Sequence, residues 1–153
     1  MTTMIQGDQL ATIRLGRHVA KAAVAITGIS TKSLFTVSGG RVLVLALYGE
    51  VTVGLQAQAN AAKFISTPTT GTAVDLCTAT ETNGKEIGAL LGITGLDSDA
   101  LDVNNAGHVP GMERGVIVPI GTIGFNTAAS STGSIKFDLW YVPLDTGATV
   151  EAA

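Results

Sequence analysis

Arg41-Val42-Leu43-Val44-Leu45-Ala46-Leu47-Tyr48-Gly49-Glu50-Val51-Thr52-Val53 is the stretch that decides the fold. It reads as one long strand. Successive side chains of a strand point to opposite faces. On a regular strand Val42, Val44, Ala46 and Tyr48 therefore share one face, and Leu43, Leu45 and Leu47 share the other. Both faces are apolar. A strand with one wet face would alternate apolar with polar residues. This one is expected to lie between two layers: the domain core, and either a second sheet or a neighbouring subunit. Gly49 and Gly54 are expected to mark a bulge and the strand end.

Working outward, Ser38-Gly39-Gly40 forms a tight connection that permits positive φ. Before it, Leu34–Val37 reads as a short strand. Val19–Thr27 is rich in Ala and Val and ends at Gly28, which favours strand. Residues 1–17 have weak periodicity and are expected to form an arm or a loosely held first strand. Downstream, Ala62–Ser66 and Thr72–Thr78 read as strands separated by a Pro68–Gly71 turn. Thr82 or Asn83 can cap a short helical turn over Lys85–Leu91, closed by Gly92. Residues 95–114, with Gly95, Asn104, Asn105, Gly107, Pro110 and Gly111, read as loop. Val116–Phe125 is a strand bent at Pro119 and Gly121. Ser134–Val142 is the last clear strand: Ile135, Phe137, Leu139 and Tyr141 share one face, Lys136, Asp138 and Trp140 the other.

Seven to nine short strands punctuated by Gly and Pro indicate an all-β fold. We expect a compact antiparallel β-sandwich, jelly-roll-like, or a small barrel, with one short helix. Residues 1–18 would be an N-terminal arm and residues 19–153 a single β domain. At 153 residues the chain fits one domain.

Charged residues make up only 14% of the chain, against about 25% in ordinary domains. Mean hydropathy is +0.40. A chain so poor in charge is expected to place much of its surface against protein rather than water. A Ser/Thr/Gly-rich uncharged surface is the other reading. A net charge of -3 argues against a nucleic-acid partner. Asp8, Arg14, Arg17 and Lys21 interrupt the N-terminus, so no signal peptide is expected. The longest charge-free run, Gly115–Ile135, contains Pro119 and a Ser-Ser-Thr-Gly turn. It reads as two strands, not a membrane span.

No residue pattern carries chemistry. Cys77 is the only cysteine, and it sits in an expected strand without a paired base. His18 and His108 lie ninety residues apart, too few for a zinc site. Asp97, Asp99 and Asp102 begin like a calcium loop. Leu101, Asp102 and His108 then stand where that loop needs an oxygen ligand, a glycine and a glutamate. Gly84-Lys85 lacks the rest of a phosphate loop. No catalytic, cofactor-binding or metal residue is expected, and no enzyme. Trp140 is either a core residue, an aromatic anchor in a subunit contact, or a surface on which a sugar stacks.

Leu34-Phe35-Thr36-Val37-Ser38-Gly39-Gly40-Arg41-Val42-Leu43-Val44, ending in Tyr48-Gly49-Glu50-Val51-Thr52, resembles small structural proteins of tailed bacteriophages. So does Ala129-Ser130-Ser131-Thr132-Gly133-Ser134-Ile135-Lys136, continuing Leu139-Trp140-Tyr141-Val142-Pro143-Leu144-Asp145 to Gly147-Ala148. Pro68 with Gly71, and Asp75-Leu76-Cys77, fit between them. The resemblance is to head decoration, or cement, proteins, and covers about residues 19–153. It implies a β-rich homotrimer on the outside of an icosahedral capsid, made in the host cytoplasm. There it would bridge major capsid proteins against the pressure of packed DNA. The first 18 residues match least. Leu43, Leu45 and Leu47, or their opposite-face neighbour Tyr48, are the expected trimer core. Trp140 and the arm, with Arg14 and Arg17, are the expected partner contacts. A tail or fibre component and a carbohydrate-binding β-sandwich are the alternatives; neither nucleic acid nor membrane is an expected partner.

Overall fold

Ser134–Pro143 shows the period of two most plainly. Ile135, Phe137, Leu139 and Tyr141 are buried, and the residues between them are half-exposed. The computed structural model describes residues 4, 6–105, 107–109 and 111–153. In chain order its elements are α1 (Gly7–Leu15), β1 (Arg17–Ala25), β2 (Thr31–Ser38), β3 (Val42–Val53), β4 (Ala61–Pro68), β5 (Val74–Asp75), β6 (Thr80–Glu81), β7 (Leu90–Gly92), β8 (Asp102–Asn104), β9 (Val116–Val118), β10 (Gly121–Thr127), β11 (Ser134–Pro143) and β12 (Thr149–Ala152).

One sheet runs β1-β11-β3-β7-β8, with β9 also on β3. The other runs β12-β2-β10-β4-β5, with β6 also on β4. Among the described residues every strand pair is antiparallel. The sheets pack face to face over one core as a sandwich, and do not close into the barrel that was the other expectation. All four phenylalanines are fully buried. Phe137 of the first sheet meets Phe64 and Phe125 of the second, with ring centroids 5.9 and 5.3 Å away. Each such ring contributes about 1.5–3 kcal/mol through burial, and each pair about 0.5–1.5 kcal/mol more.

The face assignment of the deciding strand needs correction. Trp140 pairs with Ala46 and Tyr141 pairs with Val44, so Leu45 has no partner across the ladder. This is a β-bulge, and the extra residue reverses the alternation. Val42 and Val44 face the core before it; Leu47, Gly49 and Val51 face the core after it. Leu45, Ala46 and Tyr48 lie on the outer face. Gly49 is therefore not the bulge. It pairs directly with Phe137, and a Cβ there would come within 2.9 Å of that ring and of Ile135 Cγ2. The glycine leaves room for the phenylalanine. The strand does end before Gly54.

Four other expectations change. The arm is a helix, not a strand: Gln6 and Gln9 form a capping box, and Gly16 at φ 82° closes it by donating to Thr12 O. Residues 1–3 and 5 of the arm lie outside the described residues. No helix forms at 85–91. Gly88 turns the chain at φ 87°, and Leu90 and Leu91 enter a strand because Leu91 has a core site to fill. The 95–114 loop contains β8, paired to β7, and Leu101 is buried in the core; Pro110 lies outside the described residues. After β11 the tail turns back as β12 along β2, burying Val150. Among the described residues no helix is long and apolar enough to cross a membrane.

Candidate functional site

Three adjacent strands of the first sheet build the most distinctive surface. On β11, Lys136, Asp138 and Trp140 point away from the core. β1 supplies His18, paired directly with Trp140, and β3 supplies Ala46, Tyr48 and Glu50. The rings form a row. His18 stacks on Trp140 with centroids 4.1 Å apart, and Tyr48 stacks on it at 5.6 Å. Because β1 and β3 flank β11, the two neighbours cover opposite faces of the indole. A sugar that stacks on Trp140 needs one of those faces open, so the carbohydrate alternative loses its platform.

Charges frame the row and neutralise one another. His18 Nε2 lies 2.7 Å from Asp138 Oδ1, and Lys136 Nζ donates to Glu50 at 2.8 Å. Burial, then the carboxylates of Asp138 and Glu50, push the Tyr48 phenol above its ordinary value, so it stays neutral at physiological pH. A groove of about 420 Å³ runs beside the row, lined by Arg14, Leu15, Leu45, Ala46, Tyr48 and Trp140. A second, of about 440 Å³, lies across Tyr48 toward Leu90, Ile93 and Met112. Chemically this surface offers apolar area and paired charges. It offers no nucleophile and no free base.

The expected interface residues separate. Leu45, Tyr48, Trp140 and Arg14 come together at the groove. Leu43 is half-buried against Gly115, whose Cβ position lies 2.7 Å from Leu43 Cδ1. Leu47 is 2% exposed and belongs to the domain's own core, so it offers nothing to a partner in the folded chain. The bulge at Leu45 is the reason. Arg17 is exposed at the start of β1, away from the aromatic row, beside the Pro143–Thr149 turn. Sequence reasoning set His18 aside as an unrelated surface residue and passed over Leu10, Ile13 and Leu15, which the arm helix exposes. The signal for the last three was present: three large apolar residues in a short segment with both helix ends capped.

The chemical candidates resolve into structural roles. Cys77 is buried, accepts a hydrogen bond from the Phe64 amide, and has its thiol pushed up by burial. Asp99 accepts from the Thr94 hydroxyl at 2.7 Å and fixes a turn. Among the described residues no three His, Cys, Asp or Glu side chains gather to hold a metal ion. The sequence matches no protein-family model, no curated protein and no solved structure.

Proposed function

We propose that this chain is a structural virion protein: a decoration, or cement, protein that binds the outside of a phage head as a homotrimer and stabilises it. One observation carries the reading. A charge-poor sandwich exposes a capped apolar helix beside an apolar groove and an aromatic row, with no chemistry in either. Exposed apolar area of this kind marks protein contact. The phage resemblance of residues 19–153 supplies the particle.

The mechanism is mass action. A protein that binds the assembled shell and not its free subunits shifts the equilibrium toward the intact shell. Many copies on one lattice add avidity to weak single contacts. The partners in this reading are the chain's own copies and the major capsid protein. The reading includes no cofactor and no catalytic step, and its place is the outer capsid surface.

The test is co-sedimentation of the purified protein with undecorated phage heads, followed by heating. Saturable binding and a raised temperature of DNA release are expected. Heads that neither bind the protein nor gain stability would overturn the reading.

A further inference from the structure

We propose that α1 of one copy seats on the outer face of the first sheet of a second copy, in the groove lined by Leu45, Ala46, Tyr48 and Trp140. The inference rests on the preceding reading that the protein assembles with copies of itself, and names the contact that does it.

The helix is specified yet uncovered. Its capping box and the Gly16 stop define both ends, but no residue of α1 is buried. A nine-residue helix is too short to hold itself in water without packing. Its apolar residues fall on two stripes. Ala11 and Leu15, four apart, form one, and Leu15 already stands at the rim of its own chain's groove. Leu10 and Ile13, three apart, form the other. They are 56% and 70% exposed. Something outside the chain has to cover that stripe.

Size and charge select a second copy. The helix is about 13 Å long. The outer face of β3 from Leu43 to Glu50 runs about 23 Å, so the helix fits along it. The arm carries Asp8, Arg14 and Arg17, a net +1, which leaves -4 on the rest of a chain whose total is -3. Among the described residues neither arginine makes an ion pair within its own chain. The receiving face carries the carboxylates of Glu50 and Asp138 beside the aromatic row. A cationic apolar helix and an acidic apolar face on the same molecule are complementary between copies. Each copy gives one helix and receives one, a head-to-tail arrangement that closes into a ring. Giving and receiving also doubles the area per copy, which is how a short arm reaches the ~1,000 Å² of a specific interface.

The test uses the full chain. Two singly substituted versions, Ile13→Cys with one tag and Leu45→Cys with another, are mixed and oxidised; buried Cys77 is left in place. A disulfide between the differently tagged chains is expected. In parallel, Leu10→Asp/Ile13→Asp is compared with the unsubstituted protein by sedimentation. Both sites are exposed, so the melting temperature should hold while the dissociation constant of the oligomer rises tenfold or more. An oligomer that ignores this double substitution and gives no interchain disulfide overturns the inference and leaves self-assembly standing. Loss of head binding with self-association unchanged also overturns it, because the helix then seats on the capsid protein. A chain that is monomeric throughout overturns the inference and the assembly reading together.

Discussion

Leu45 and Leu47 are two residues apart on one strand and lie on opposite faces of the sheet. Leu45 faces outward into the groove beside Trp140, and Leu47 is sealed in the core. In a regular strand they would share a face. The bulge between them separates the residue that folds the domain from the residue that meets a partner.

The two leucines should therefore respond differently to truncation. Leu47→Ala should cost about 2–5 kcal/mol of folding stability, the range for a buried leucine. Leu45→Ala should cost less than half of that and weaken self-association instead. Urea unfolding of both variants decides it; equal losses of stability would count against the bulge.

Gly49 sits beneath Phe137, and Gly49→Ala should destabilise by about 1–3 kcal/mol through overpacking. Adding Phe137→Leu should recover part of that loss, since the two sites share one space. Thermal melts of the two single variants and the double variant measure the coupling. Strict additivity would mean that the ring does not rest on the glycine.

Much of this fold is legible in the residues, and the limits have physical causes. β11 declares itself because each buried residue alternates with a polar or amphipathic one. The two apolar faces of β3 are legible for the same reason. Which leucine lies on which face is not, because the bulge at Leu45 arises from pairing with Trp140 and Tyr141, some ninety-five residues away. The arm helix is obscured because its apolar residues fall on two stripes rather than one. The 85–91 segment looks helical locally, and a core site for Leu91 overrides that preference. At the candidate site, Tyr48 and Trp140 are recognisable as aromatics. His18 joins them only through cross-strand register.

Arg41 clamps Asp145 through three donors: the backbone amide at 2.7 Å, Nε at 2.9 Å and Nη2 at 2.8 Å. The side-chain bonds, then the amide, hold the Asp145 carboxyl well below the usual carboxylate range. A carboxyl lowered on folding stabilises above its ordinary value of about 3.9 and loses that contribution as pH falls toward the folded value. Asp145→Asn should lower stability at pH 7, and the gap should narrow below about pH 4. Denaturant unfolding from pH 7 to pH 2 checks this. A gap that widens in acid would contradict it.

Cys77 should resist thiol reagents in the folded protein, because burial raises its thiol and excludes the reagent. Labelling should become fast only above the urea midpoint. Rapid stoichiometric labelling in native buffer would show that β4 does not cover it.

Self-assembly is the central claim, and sedimentation equilibrium of the intact chain at micromolar concentration tests it most directly. A species of three times the 15.5 kDa chain mass is predicted. A single ideal species at 15.5 kDa across the whole range would contradict it.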